Sequence, residues 1–200
     1  MGIIQIELFT TLDLVGQSPG GPELSPDLSS AIGEIRDRET MEHAVAFAET
    51  GHLCMGTLHA NSANQALDRI INFFPDERRQ QLLMDLSLNL KAVISQRLVP
   101  AEGRKGRVAA VEIMINSPLI SDLIFKGSVS EIKEIMKKSR ELGMQTFDQH
   151  LFDLFEAGQI SYENALRNAD SVNDLRLNIK LNSKRRSEDP TAASSKLGIV

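Results

Sequence analysis

The chain has 200 residues, of which 42% are hydrophobic and 24% are charged, and it carries a formal net charge of −5 at pH 7. This length is enough for one domain with a small appendage, and the composition is that of an ordinary globular protein. The negative charge argues against binding nucleic acid, which requires a basic surface to neutralise phosphates. A single cysteine, Cys54, excludes an internal disulfide and indicates a reducing compartment.

Membrane and export signals are also missing from the sequence. No apolar run approaches the ~20 residues of a membrane-spanning helix, and the first residues lack the basic stretch of a secretory signal. We therefore predict a cytoplasmic protein without a transmembrane segment.

Two histidines flank a short apolar run at residues 53–58, which reads as a buried strand. A helical pattern follows, and Asn61 or Ser62 is a suitable cap for it. His52 therefore stands at the start of the strand and His59 at its end, where parallel sheets usually build ligand sites. We expect the two rings at opposite ends of the strand. The sequence contains no CxxC or HExxH pattern, so it does not predict a metal site.

Residues 33–37 read GEIRD and resemble the Walker B segment, GExRD, of the type IV pilus retraction ATPases. Residues 50–63 resemble the histidine box of the same family, TGHxxxxTLHxNxA. Residues 132–158 are most similar to the PilU branch of that family. The resemblance runs from about Ile32 to Leu181, and both boxes at this spacing make it specific.

The resemblance implies roles for three residues of a nucleotide site. Glu34 matches the catalytic glutamate, which acts on the attacking water and supports magnesium. His59 matches a residue near the γ-phosphate, and His52 matches one that contributes across a subunit boundary. The alternative for Glu34 is a surface carboxylate paired with Arg36 or Arg38.

Three further residues match the two boxes and are implied to support the nucleotide, namely Arg36, Asp37 and Thr57. For Arg36 and Asp37, an ion pair that braces the end of the strand is an equal alternative. The implied cofactors are ATP and Mg²⁺, with no metal bound by the protein alone.

The phosphate-binding half of such a site is missing from the sequence. It requires a glycine-rich loop that ends in Gly-Lys-Ser/Thr before a helix, and no lysine in this chain has that context. The acidic box that precedes Walker B in the family is also not found. We therefore expect the chain alone to be inactive as an ATP hydrolase.

The implied fold is α/β, with part of a RecA-like P-loop ATPase core followed by an all-helical C-terminal region. We predict an atypical segment at residues 1–30, not homologous to the family, and the second half of the core at residues 31–117. The helical region follows at residues 118–181, and a polar, disordered tail at residues 182–200.

Local patterns predict further elements. Residues 2–9 suit a short strand, and residues 92–99 and 107–115 suit a hairpin. Thr40 is a possible cap for the helix before the histidine box, and five helices follow residue 118. Since half a parallel sheet leaves open edges, we also expect strands to be missing.

The predicted function is that of the C-terminal part of a cytoplasmic, hexameric ATPase that powers type IV pilus retraction at the inner-membrane pilus base. Its partners would be identical subunits or the paralogous retraction ATPase, and the platform protein of the inner membrane. One alternative is a non-catalytic module or truncated remnant that docks on a motor ring. Another is a pilus extension or type II secretion ATPase, although a single cysteine argues against its usual four-cysteine zinc motif.

Overall fold

The computed structural model describes residues 3–9 and 30–185, with side chains from residue 33. The described residues form a mixed α/β structure. Its strands and helices are β1 (Ile3–Phe9), β2 (Ser30–Glu34), α1 (Arg38–Glu49), β3 (Leu53–Thr57), α2 (Ala63–Asn72), α3 (Asp76–Asn89), β4 (Leu90–Pro100), β5 (Arg107–Ile115), α4 (Pro118–Phe125), α5 (Ile132–Lys138), α6 (Phe147–Glu156), α7 (Tyr162–Arg167) and α8 (Val172–Asn182).

The strands form one sheet in the order β2-β3-β1-β4-β5. The pairs β2–β3, β3–β1 and β1–β4 are parallel. β4 and β5 are neighbours joined by the short loop at residues 101–106, too short for a parallel crossover, so they form the predicted hairpin.

The position of β1 differs from the expectation of missing strands. A strand near residues 2–9 is confirmed, but it lies inside the sheet, between β3 and β4. β1 is therefore hydrogen-bonded on both sides, to β3 and to β4. Without β1, the facing edges of β3 and β4 would be unpaired. The strand before the Walker B box begins at Ser30, and residues 10–29 lie outside the described residues.

The chain divides into two compact units. The first contains residues 1–96 and 112–145, and the second contains residues 97–111 and 146–200. The first unit buries the apolar faces of α1 to α5, and its largest fully buried side chains include Ile35, Met41, Leu58, Leu67, Ile70 and Leu86. These helices form because their apolar residues recur at helical spacing and meet in one core.

Short polar side chains cap several helices of the first unit, although α3 and α5 have no side-chain cap. Asp37, rather than the predicted Thr40, caps α1, because its carboxylate accepts a hydrogen bond from the Thr40 amide. Ser62 caps α2 in the same way, as one of the two predicted residues. Gly51, with φ of 99°, follows the end of α1 in the left-handed region that favours glycine.

The second unit has its own core. Phe147, Leu151 and Phe155 of α6 pack with apolar residues of α7, α8 and the nearby strand ends. The Arg97 guanidinium lies over the Phe147 ring, 3.9 Å from its centroid, and pairs with Asp170 at 2.6 Å. All five helices predicted after residue 118 are present, but their buried residues belong to two clusters, because α4 and α5 pack in the first unit.

Residues 182–185, which the sequence analysis placed in the polar tail, are described by the structure. Asn182 is the last residue of α8, and the Ser183 hydroxyl donates a hydrogen bond to Glu156 of α6. Residues 186–200, on which the rest of that prediction falls, lie outside the described residues.

Candidate functional site

The site lies where two neighbouring parallel strands end. Glu34 is the last residue of β2 and Thr57 is the last residue of β3, and the two are partners in the strand register. The Thr57 hydroxyl donates a hydrogen bond to the Gly33 carbonyl, and the Ile35 amide donates to the Thr57 carbonyl at 2.7 Å. Thr57 therefore ties the two strand ends together. Carboxyl ends of parallel strands are the usual place for a ligand site.

Glu34 and His59 meet at this edge of the sheet. The Nε2 atom of His59 lies 3.0 Å from Oε1 of Glu34. The Nε atom of Arg36 donates to the other oxygen, Oε2, at 2.6 Å. Glu34 thus pairs with Arg36, as the alternative interpretation proposed, and it also contacts His59, a pairing that the sequence analysis did not predict. The Glu34 side chain is 22% exposed and that of His59 is 70% exposed, so solvent reaches the pair.

The Arg36 hydrogen bond holds the pKa of Glu34 below its ordinary value, while partial burial opposes this effect. The positive charges of His59, Arg36 and Arg69 lower the pKa further. Glu34 is therefore ionised at neutral pH and accepts hydrogen bonds only. The ring nitrogen that faces this acceptor is Nε2 of His59.

Asp37 does not face this pair. Its carboxylate accepts hydrogen bonds from the amide and the hydroxyl of Thr40, at 2.9 and 2.8 Å, and these bonds lower its pKa. Asp37 therefore acts as the cap of α1. The contacts described for Asp37 are those with Thr40, and they do not support its implied role in nucleotide binding.

His52 lies at the opposite end of β3 from His59, as predicted, because the strand occupies the residues between them. Its ring packs against Phe47 with 5.0 Å between centroids. The Thr50 hydroxyl donates to the Phe47 carbonyl at 2.8 Å, so its oxygen accepts from Nδ1 of His52 at 3.0 Å. In the neutral ring, Nε2 of His52 is then a hydrogen-bond acceptor.

A cavity of about 620 Å³ adjoins the exit of β3. Its lining includes His59 and Asn61 from the loop, and Gln65, Arg69 and Asn72 from α2. The sequence analysis missed these three residues of α2. Their spacing of four and three positions places them on one face of a helix, directly after a predicted site histidine, and that pattern was available as a signal.

The remaining sequence-level candidates are structural or do not assemble. Cys54 is buried within β3, and burial raises the pKa of its thiol, so it is inert. Within residues 30–185, no three histidine, cysteine or acidic side chains gather in a way that could hold a metal ion. None of the helices in the described part of the chain has the length and apolar character needed to cross a membrane.

Comparison with known proteins identifies the family. The family model for type II/IV secretion system proteins matches residues 25–167. The type IV pilus ATPase PilU of Pseudomonas aeruginosa is 64% identical over 153 residues, which are 76% of this chain and 40% of PilU. PilT, a retraction ATPase of the same organism, is 45% identical over 69% of this chain and 40% of its own length. The crystal structure of the pilus retraction motor PilT with bound ADP superposes with a TM-score of 0.66 at 38% identity, covering 74% of this chain and 41% of PilT.

The chain therefore belongs to the type II/IV secretion system protein family, and it is similar to two type IV pilus ATPases, PilU and PilT. Its fold is the predicted α/β, partial RecA-like ATPase core with helices. The chain spans about 40% of the length of PilU and PilT. The family match begins at residue 25, within the segment that the sequence analysis set apart as residues 1–30.

Proposed function

We propose that this chain is the C-terminal part of a motor ATPase that retracts type IV pili, and that Glu34 and His59 act on the water and the γ-phosphate of ATP. The observation that carries the proposal is the 3.0 Å contact between these two side chains at the carboxyl edge of the sheet. The adjoining cavity opens beside His59, and its wall carries one positive residue, Arg69, and one acidic residue, Asp68. The identity to PilU and PilT supports the same assignment.

Glu34 is better suited to orient water than to remove its proton completely. Its lowered pKa makes it a weak base, but each carboxylate oxygen has a second lone pair that can accept a hydrogen bond from water. The contact with Arg36 can thus persist while Glu34 holds the attacking water. The His59 ring would turn from Glu34 toward the phosphate, so that its Nε2 provides a donor near the charge that develops there.

The residues present also fit one ligand position for Mg²⁺, which the substrate would bring. Mg²⁺ prefers oxygen ligands and is commonly held by one or two carboxylates together with phosphates, and Glu34 supplies an ionised carboxylate. The ion would neutralise part of the phosphate charge when bound.

The proposal includes a ring of subunits. His52 lies at the far end of β3 from His59, so the two histidines cannot both contact one nucleotide within one chain. A hexamer, formed with identical subunits or with the paralogous retraction ATPase, would bring His52 to a neighbouring site. The motor would work in the cytoplasm at the inner-membrane pilus base, against the platform protein.

The sequence holds no Gly-Lys-Ser/Thr loop, so we propose that the chain alone does not turn over ATP. The same observation supports a second candidate function, in which the chain docks on a motor ring as a non-catalytic module. The pilus extension or type II secretion ATPase remains the alternative within the family.

A chimera tests the assigned roles. Residues 31–200 are fused behind the nucleotide-binding half of PilU from Pseudomonas aeruginosa, and ATP turnover is measured. We expect Glu34→Gln to lower kcat by about 10²- to 10⁴-fold, the range for loss of a general acid or base. His59→Ala should lower kcat with little change in KM, because its donor acts on transition-state charge.

The matched control is His43→Ala, which removes an exposed histidine of α1. It should leave both constants unchanged. A large rise in KM at constant kcat for His59→Ala would count against its role, and full turnover in Glu34→Gln would refute the proposed function.

A further inference from the structure

A buried carboxylate contacts the start of the helix that follows His59. Glu112, on β5, is 1% exposed and lies in the first unit. Its Oε1 atom accepts a hydrogen bond from the Ala63 amide at 2.7 Å, across 49 positions of sequence. Ala63 is the first residue of α2. The contact therefore links β5 to the helix that begins four residues after His59.

This contact satisfies groups that are costly to bury alone. A buried carboxylate destabilises a fold unless it accepts hydrogen bonds, and the first amides of a helix have no partner within the helix. The positive end of the helix dipole also favours a negative charge at this position. Glu112 and the start of α2 therefore stabilise each other.

The loop that carries His59 is fixed at both of its ends. Leu58, at the exit of β3, is 2% exposed. At the other end, the Asn61 amide donates to the Gln65 side chain at 3.2 Å, and the Gln65 amide donates to the Ser62 hydroxyl at 3.3 Å. Since the His59 side chain is 70% exposed, few packing contacts hold its ring, and the backbone of this short loop determines the position of its Cβ atom, from which the ring reaches Glu34.

We propose that Glu112 is a positioning residue, which holds the start of α2 and thereby places Nε2 of His59 against Glu34. The inference rests on the proposed function for the importance of the Glu34–His59 pair. Glu112 lies on β5, which belongs to neither the Walker B segment nor the histidine box. The contacts of Glu112 described above include neither Glu34 nor His59. Its effect passes through the α2 amide and the loop.

The test uses the full chain and follows the carboxyl of Glu34 by NMR as a function of pH. The charged groups that act on Glu34 are Arg36, His59 and Arg69, so the loss of any one raises its pKa. We expect Glu112→Met, which keeps the side chain's bulk but removes the acceptor, to raise the pKa of Glu34 in the same direction as His59→Ala. The Ala63 amide should exchange about tenfold faster or more, because the variant removes its buried hydrogen-bond acceptor.

Two further variants separate positioning from stability. Glu112→Gln keeps an oxygen acceptor without the charge, and its values should fall between those of the wild type and Glu112→Met. Met136→Ala removes a buried side chain of α5 in the same unit, so it should lower the unfolding midpoint and leave the pKa of Glu34 unchanged.

An unchanged pKa of Glu34 in a folded Glu112→Met variant, or an equal shift in Met136→Ala, would overturn the inference. If Glu112→Met does not fold, Glu112→Gln decides, and wild-type values for its Ala63 exchange and Glu34 pKa would overturn it. If the pKa of Glu34 shifts in His59→Ala but not in Glu112→Met, the positioning role of Glu112 is refuted and the proposed function is not. The turnover of the chimera tests the proposed function separately.

Discussion

Glu34 is the residue on which the candidate site depends, and its two oxygens have different partners. Oε2 accepts from Arg36 and Oε1 faces His59. The Arg36 contact is between residues two positions apart, whereas the His59 contact joins two segments separated by α1 and β3. The His59 contact therefore forms only when the chain is folded, and it is the contact on which the proposed function rests.

The relative effects of these two partners on Glu34 can be measured. We expect Arg36→Ala to raise the pKa of Glu34 more than His59→Ala does, because the Arg36 hydrogen bond is the largest cause of its lowered pKa. Arg36→Lys, which retains the positive charge, is the matched control and should have a smaller effect than Arg36→Ala. Carboxyl NMR titrations of the variants would contradict this ranking if His59→Ala gave the larger rise.

The lowered pKa of Glu34 also determines the direction in which stability changes with pH. A carboxyl whose folded-state pKa is depressed stabilises the fold above its unfolded pKa, about 4.3 for glutamate, and this contribution disappears as pH falls through the folded value. As the pH is lowered through that range, we expect the free energy of unfolding to fall less in Glu34→Gln than in the wild type. Urea unfolding at neutral and acidic pH checks this, and a steeper loss in Glu34→Gln would contradict it. The effect should be small because the pair is solvated.

Among the elements, the caps show what local sequence can and cannot predict. Ser62 caps α2, as one of the two residues that the pattern indicated, and Ser161 and Ser171 cap α7 and α8. The cap of α1 was assigned to Thr40, but α1 begins earlier, at Arg38, with Asp37 as its cap. Asp and Thr are both good caps, so residue type alone did not decide between them.

The capping box of α6 gives a test at the scale of one helix. Thr146 is fully buried, its hydroxyl accepts from the Gln149 amide, and its own amide donates to the Gln149 side chain at 3.0 Å. We expect Thr146→Ala to lower the free energy of unfolding by about 1–2 kcal/mol. Thr146→Ser, which retains the hydroxyl, should lose less. Urea unfolding followed by circular dichroism measures both, and equal losses would show that the methyl group dominates.

The order of the strands was harder to predict than their existence. Strands at residues 2–9, 53–58, 92–99 and 107–115 could be located from apolar runs and turns, and each has a counterpart in the structure. Nothing in a local pattern states that β1 lies between β3 and β4. Such pairing depends on non-local backbone contacts, which a single sequence does not encode in any one segment.

For the whole molecule, the division of the helices follows from packing. The sequence grouped the helices after residue 118 because they follow one another in the chain. In the structure, buried residues of α4 and α5 join the first core, and those of α6 to α8 form the second with Val99 and Ala110. Apolar periodicity states which face of a helix is buried, but not which partner covers it.

The interior position of β1 gives a test at this scale. Deletion of residues 1–9 would remove the shared neighbour of β3 and β4 and leave two unpaired strand edges. We expect light scattering to detect large aggregates of the deletion variant and none of the full chain at the same concentration. A deletion variant that unfolds cooperatively and scatters like the full chain would contradict the position of β1 in the sheet.

We propose that this chain carries the residues that face the water and the γ-phosphate, without the glycine-rich loop that binds the remaining phosphates. Phosphate release from Mg²⁺ and ATP by the purified 200-residue chain, compared with its Glu34→Gln variant, tests this proposal. We expect equal rates for the two, at the background of the assay. Turnover near ~1 s⁻¹, within the usual range of enzymes, that is lost in Glu34→Gln would contradict it.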